Sequence, residues 1–375
     1  MPRHDLTWRQ ITAGGDGYDG PARPRRRAAA SGGAWANPVP GRGGKPRGKT
    51  PGKGRGRRPR EKARGGRARG GRTAGRAVPA RPTAPVVGRP VAPRPPPHAG
   101  PTMAAVPFLD LGGARLHHTD TGAGPAVLLV HGWGCDGRDW AGVVGPLARA
   151  HRVIVPDLRG HGRSTAPEDG YAPRALAADL AALLRHLDTG PVVAVGHSMG
   201  GHVVTALAVE HPALVRSVVT VATGWGGDDP GFLARVRAEQ RALCREGRSW
   251  AVGFLRRALG PAVPPEARAR HERVMAAMDP RVLARCRHGM YLAPDSFGRR
   301  STAAAYLRRR RCPVLAIHTG AEAAAWERAL PPPPGSRVEL WPGCGHFLPE
   351  EQPSQLAAVL AGWVRHVDGP ARPGT

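Results

Sequence analysis

The stretch VVAVGHSMGGHVVTA, residues 192–206, joins a run of apolar residues to a glycine-rich turn and a helical pattern. The valines predict a buried strand, and the pattern after the turn predicts a helix that Pro212 stops. Gly196 and Gly200 carry no Cβ atom, so they permit a sharp turn between the two elements. A serine in that setting is typical of a nucleophile elbow, and the alternative is an ordinary loop serine. Ser198 is therefore the candidate nucleophile.

Apolar strands and helical patterns alternate along the chain on both sides of this stretch. Strands that are apolar throughout are typical of a mostly parallel sheet covered by helices on both faces, so the sequence predicts an α/β fold. The segments that carry this prediction are strands at 125–134, 151–164, 215–224, 312–318 and 336–343, and helices at 173–188 and 353–367.

Residues 225–311 interrupt the alternation with helical, arginine-rich segments. We interpret them as a helical cap inserted into the sheet domain, which divides the core into residues 103–224 and 312–375. The cap arginines are expected to form a solvated outer face, and the alternative is that one of them faces an anionic substrate.

Residues 1–102 have a different composition from the rest of the chain. The first 100 residues contain 24 Lys and Arg against 4 Asp and Glu, with many Gly and Pro and few large apolar side chains. Such a segment cannot bury enough surface to offset the entropy cost of folding, so it is predicted to be a disordered, dispensable extension. No RNA- or DNA-binding motif accompanies the charge, which argues against a nucleic-acid partner beyond nonspecific binding.

Cysteine spacing and hydropathy indicate where the protein resides. The number of cysteines is odd and no Cys-x-x-Cys occurs, which favours a reducing, cytoplasmic compartment and neither a disulfide framework nor a zinc site. No run of about 18 apolar residues is present, so no membrane partner is expected. The cysteines are Cys135, Cys244, Cys286, Cys312 and Cys344.

Four motifs in order resemble the α/β-hydrolase superfamily. They are His131-Gly132-Trp133-Gly134, residues 157–164 (DLRGHGRS), residues 196–201 (GHSMGG) and residues 343–347 (GCGHF). The resemblance covers about residues 107–368 and implies an α/β-hydrolase fold with a helical cap.

The resemblance also implies the catalytic roles. Ser198 is the expected nucleophile, and His346 is the expected base, because a serine hydroxyl needs a base to activate it. The backbone amides of Trp133 and Met199 are the expected oxyanion hole.

Further residues near these motifs have predicted places in the site. His197 and Trp225 are expected to border the substrate pocket. His131 and Asp157 are expected to support the loops around the site rather than to take part in the reaction.

The sequence departs from the family pattern at the catalytic acid. The usual Gly-x-x-Asp pattern, counted from Gly320, has Ala323 at the Asp position. Glu322, one residue earlier, is the first candidate acid, and Asp228 is the second. Asp229 is a third, although it also fits a helix N-cap before a proline. The remaining possibility is that no carboxylate supports the histidine.

The leading hypothesis is a carboxylesterase-like serine hydrolase that needs no cofactor or metal. Its partner would be a small-molecule substrate, an ester, a lactone or a related acyl compound. A serine at the elbow argues against epoxide hydrolase and haloalkane dehalogenase chemistry, which uses an aspartate. The alternatives are a non-hydrolytic protein of the same fold, either a cofactor-free dioxygenase or a ligand receptor, and a catalytically silent member.

Overall fold

The computed structural model describes residues 108–369, so the predictions for residues 1–102 lie outside the described residues. Eight strands form one sheet in the order β1-β2-β4-β3-β5-β6-β7-β8. The pairs β1–β2 and β2–β4 are antiparallel and all other pairs are parallel, which confirms the mostly parallel sheet. The strands are β1 (Phe108–Asp110), β2 (Arg115–Thr121), β3 (Ala126–Val130), β4 (Arg152–Pro156), β5 (Val192–His197), β6 (Val215–Val221), β7 (Val314–His318) and β8 (Arg337–Leu340).

Helices follow most of the strands, and two short 3-10 helices precede α1 and β6. The α-helices of the sheet domain are α1 (Ala141–Ala148), α2 (Pro173–His186), α3 (Met199–Glu210), α9 (Ala321–Arg328), α10 (Leu348–Glu351) and α11 (Pro353–Asp368). The helices between β6 and β7 are α4 (Pro230–Glu246), α5 (Arg248–Ala258), α6 (Pro265–Ala277), α7 (Pro280–Tyr291) and α8 (Arg300–Leu307). We refer to these last five helices as the cap.

Alternate residues of the central strands face opposite sides of the sheet, as the strand period of two requires. On β3, Val127 and Leu129 pack with α1 and α11, whereas Leu128 and Val130 belong to the cluster formed with α2, α3 and the cap. Both faces of the sheet are therefore covered, which explains why these strands are apolar throughout their length.

The cap begins where the sequence predicted a helix start. Asp229 is the N-cap of α4, its Oδ1 accepts a hydrogen bond from the amide of Phe232 at 2.8 Å, and Pro230 is the first helical residue. The N-cap interpretation of Asp229 is confirmed, and it accounts for this carboxylate without a catalytic role.

None of the helices within residues 108–369 combines the length and apolar character needed to cross a membrane. All five cysteines fall within the described residues, and all are free thiols.

Candidate active site

Ser198 lies at a sharp turn between β5 and α3. Its backbone has φ 52° and ψ −117°, a region that residues with a Cβ atom rarely occupy. A Cβ atom on Gly196 would overlap the carbonyl of Gly200, and one on Gly200 would overlap that of Val130. The amide of Ser198 donates to the carbonyl oxygen of Val221 at 2.9 Å, which ties the turn to β6. The turn has the strain and the close backbone contacts of a nucleophile elbow.

His346 lies in the loop between β8 and α10 and contacts the serine. Its Nε2 is 2.9 Å from Oγ of Ser198, a hydrogen-bond distance between residues 148 positions apart in the chain. Burial lowers the pKa of His346 to about 4, so the ring is neutral at pH 7. A neutral imidazole at this distance can accept the hydroxyl proton.

Two side chains hold the backbone of the histidine loop. Glu351 accepts hydrogen bonds from the amides of Gly345 at 2.6 Å and Phe347 at 3.1 Å, on either side of His346. His197 donates from Nε2 to the carbonyl oxygen of His346 at 2.8 Å. Sequence reasoning missed Glu351, because an acidic residue in the first turn of a helix has an ordinary explanation in the helix dipole.

The amides of Trp133 and Met199 are the candidates for the oxyanion hole. Met199 is the first residue of α3, so its N–H has no acceptor within the helix. Trp133 follows β3, and its indole Nε1 donates to the carbonyl oxygen of Leu283 at 2.9 Å, which anchors this loop to the cap. Both residues line the same cavity as Ser198 and His346.

Two polar residues support the loops below the cavity. His131 accepts at Nε2 from the amide of Leu158 at 3.0 Å. Asp157 accepts from the amides of Gly137 at 2.7 Å and Arg163 at 3.0 Å. These contacts match the supporting role that was predicted for His131 and Asp157.

The two leading candidate acids lie at the surface, contrary to expectation. The Glu322 side chain is 83% exposed and forms an ion pair with Arg300 at 2.8 Å. Asp228 is exposed, and its Oδ1 accepts from the amide of Ser301 at 2.8 Å. The first turn of α9 directs Glu322 outward, and Asp228 lies in the segment between β6 and α4. This geometry gives a Ser198–His346 pair without a contribution from either carboxylate.

We expect the variants Glu322→Gln and Asp228→Asn to keep any ester-hydrolysis kcat within about twofold of the wild type. Loss of a true triad carboxylate costs about 10⁴-fold in a serine protease, so the two cases are easy to separate. The measurement is kcat with p-nitrophenyl butyrate, with the melting temperature of each variant as the control for folding. If kcat fell by about 100-fold or more in either variant, that carboxylate would belong to the catalytic machinery.

The residues predicted to border the pocket lie behind its wall instead. His197 is buried beneath the histidine loop, and its ring lies 5.0 Å from that of His346. Trp225 is buried, and its Nε1 donates to Glu327 at 3.2 Å. Glu327, the inward-facing carboxylate of α9, also accepts a hydrogen bond at 2.8 Å from Nε2 of His318, the last residue of β7. Neither predicted pocket residue is among those that line the cavity.

The cavity above Ser198 lies between the sheet domain and the cap. It encloses about 570 Å³ of space free of atoms, part of which is open to solvent. Core residues supply the candidate nucleophile, the candidate base and the candidate oxyanion amides, and the cap supplies most of the remaining wall. The lining residues are Trp133, Ser198, Met199, His202, Phe254, Leu255, Ala258, Met275, Arg287, Met290, Tyr291, His346 and Phe347.

One buried group within residues 108–369 has the residue types of a metal site. Cys135, Asp139 and His271 each offer a ligand atom within 4.8 Å of the others. Arg270 donates to Oδ1 of Asp139 at 3.0 Å and Glu350 lies 2.6 Å from His271, whereas Oδ2 of Asp139 is buried with no hydrogen-bond partner in the described part of the chain. The arginine supplies the positive charge that a metal ion would otherwise bring, so we interpret this group as a polar contact between the cap and the core.

Comparison with known proteins agrees with this fold. The model of the Alpha/beta hydrolase family matches residues 127–359, and the chain belongs to that family. A thermophilic esterase from Thermogutta terrifontis is similar in structure, with a TM-score of 0.59 and 28% identity over 70% of this chain and 97% of the esterase.

Curated relatives match only part of the chain. An uncharacterised protein of Mycobacterium tuberculosis is 39% identical over 129 residues, which is 34% of this chain and 38% of that protein. A soluble epoxide hydrolase of Corynebacterium sp. is 37% identical over 106 residues, which is 28% of this chain and 37% of the relative. The chain therefore spans less than half the length of these curated relatives.

Proposed function

We propose that the protein is a carboxylesterase-like serine hydrolase that cleaves an ester, a lactone or a related acyl compound. The observation that carries the proposal is the 2.9 Å contact between His346 Nε2 and Ser198 Oγ at a strained strand-to-helix turn. The esterase from Thermogutta terrifontis, similar over 97% of its length, supports the same reaction class. A serine at this position distinguishes the chain from a hydrolase that uses an aspartate nucleophile.

The proposed reaction has two halves. Ser198 Oγ attacks the substrate carbonyl carbon while His346 Nε2 accepts the hydroxyl proton, and the amides of Trp133 and Met199 bind the oxyanion. Collapse of the tetrahedral intermediate breaks the C–O bond, and His346 gives its proton to the leaving alcohol. Water then attacks the acyl-enzyme, with His346 again accepting the proton, and Ser198 is released with a carboxylic acid.

The test uses a fluorophosphonate probe and p-nitrophenyl acetate or butyrate. We expect the probe to label the wild-type chain at Ser198 and to abolish ester turnover in proportion to labelling. Labelling at another residue, or turnover that survives complete labelling of Ser198, would overturn the mechanism. Absence of both labelling and turnover would favour a receptor or a silent member of the family.

Burial of His346 predicts that kcat/KM depends only weakly on pH near neutrality. Because the pKa of His346 is about 4, kcat/KM should stay nearly constant from about pH 8 to about pH 6. A histidine base with the ordinary pKa near 6.5 would leave about a quarter of the activity at pH 6. The measurement is the initial rate with p-nitrophenyl butyrate at each pH, with circular dichroism at the same pH values as the control for unfolding. A rate that is halved near pH 6.5 while the fold is intact would contradict this prediction.

A further inference from the structure

Arg287, on cap helix α7, gives the cavity a fixed positive charge. Of the described residues that line the cavity, it alone has a side chain that carries a permanent charge. Its exposed fraction is only 3%, so the guanidinium lies in a site largely shielded from water. A buried cation is costly unless it has a partner.

The surroundings of Arg287 satisfy the guanidinium only in part. Its carbon CZ lies 5.8, 5.5 and 5.4 Å from the ring centroids of Trp133, Trp250 and Phe254. Its Nη2 donates to Oε2 of Glu239 at 2.5 Å, and its Nε is buried with no hydrogen-bond partner in the described part of the chain. A guanidinium has five N–H donors, and one carboxylate with three aromatic faces leaves that capacity unfilled.

The cap as a whole is electropositive. Residues 225–311 contain 19 arginines against 8 Asp and Glu. A positive field over the mouth of a cleft attracts anions and raises their local concentration. This observation is independent of the contacts of Arg287 and points to the same sign of ligand charge.

We infer that the substrate carries a carboxylate, and that Arg287 binds it while the ester carbonyl lies against Ser198. The inference rests on the proposed function and names its substrate class, a half-ester of a dicarboxylic acid or a related anionic ester. A carboxylate fits better than a phosphate dianion, because Glu239 already neutralises part of the charge of Arg287 and would repel a second negative charge.

The competing explanation is that the Arg287–Glu239 pair only joins helices α4 and α7 of the cap. In that case, replacing either partner should lower the melting temperature and should change kcat/KM by the same factor for all substrates. Under our inference the two partners act in opposite directions. Arg287→Met removes the carboxylate site, whereas Glu239→Gln frees the guanidinium for the substrate.

The experiment compares mono-p-nitrophenyl glutarate with p-nitrophenyl valerate, which replaces the carboxylate by a methyl group. We expect wild-type kcat/KM to be about 10-fold higher for the glutarate ester, since a charge-assisted hydrogen bond supplies an effect of that order. Arg287→Met should abolish this preference by lowering kcat/KM for the glutarate ester about 10-fold more than for the valerate ester, and Glu239→Gln should increase the preference. Equal preference in the wild type, or equal losses for both esters in both variants, would overturn the inference.

A second readout separates this inference from the catalytic mechanism. Glutarate should raise the melting temperature of the wild type and of Ser198→Ala, and it should not raise that of Arg287→Met, because binding needs no nucleophile. The uncharged diamide of glutaric acid is the matched control ligand. If esters are not hydrolysed but glutarate still stabilises the chain through Arg287, the proposed function fails and the anion site stands. If glutarate stabilises wild type and Arg287→Met equally, the anion site fails.

Discussion

Replacing Ser198 with alanine should lower kcat for p-nitrophenyl butyrate by about 10⁶-fold, as loss of the nucleophile does in well-studied serine hydrolases. In the proposed mechanism the Oγ atom 2.9 Å from His346 forms the acyl-enzyme, so without it the remaining groups could only polarise the ester. Labelling by the fluorophosphonate probe should disappear with the activity. The measurement is kcat by stopped assay at high enzyme concentration, so that small residual rates are detected.

Folding should be unaffected by this change. Ser198 uses its backbone, not its side chain, to hold the turn, through the amide bond to Val221. Alanine has the same Cβ atom as serine and meets the same backbone strain. The matched control is Ser249→Ala, an exposed serine on α5 that should keep full activity. The expected residual turnover is about a millionth of the wild type. If Ser198→Ala retains more than about a tenth, Ser198 is not the nucleophile.

The free energy of unfolding should fall by at least about 2.5 kcal/mol between pH 7 and pH 5. Burial lowers the pKa of His161 to about 3 and that of His202 to about 4, so both rings stay neutral in the folded chain at these pH values. In the unfolded chain they bind protons below the ordinary pKa near 6.5. Protonation of the unfolded chain therefore lowers the free energy of unfolding as the pH falls below about 6.5, and above that pH this loss is absent.

The magnitude follows from linkage. Each of these two histidines lowers the free energy of unfolding by about 2 kcal/mol at pH 5. Burial lowers the pKa of His197 well below its ordinary value as well, which adds to the loss. Asp139 acts in the opposite direction, because burial raises its pKa to about 6. The folded form takes up this proton around pH 6, whereas the unfolded form does so only near the ordinary pKa of about 4, and this difference restores about 1.4 kcal/mol of stability at pH 5.

Urea denaturation from pH 7.5 to pH 5 measures this slope. In His202→Phe, which keeps a ring among Trp225, Tyr291 and Phe297, the loss of stability should shrink by about 2 kcal/mol. The exposed His186→Gln is the control and should leave the slope unchanged. A stability that is level across this pH range would show that these histidines are hydrated or charged in the folded protein.

The parts of the site that depend on neighbouring residues in the chain could be predicted from the sequence. The strained turn at Ser198 needs glycines within two residues, and its strand and helix are adjacent segments. Residues 192–206 therefore contain the strand, the turn and the start of the helix. The N-cap at Asp229 is similarly local, because an N-cap bonds to an amide three residues later. His346 was placed through the order of motifs that resemble a known family.

The contacts that join distant segments could not be read in this way. Glu322 and Glu327 both lie on α9, and the sequence favoured the one nearer the family position. The rotation of the helix decides their environment, and it turns Glu322 to solvent and Glu327 to His318. His197, next to Ser198 in the chain, and Trp225 were expected at the pocket, yet both side chains are buried and neither lines the cavity.

The sequence by itself determined the alternation of strands and helices, the elbow, and the candidate nucleophile, base and oxyanion amides. These features follow from residue type, from spacing within one or two elements and from motif order. Only the tertiary structure decided which carboxylates face the histidine loop, which walls enclose the cavity, and that Arg287 among 19 cap arginines lies inside it. The reason is that arginine spacing on a helix does not tell which turn meets the sheet domain, whereas the packing of α7 against Trp133 does.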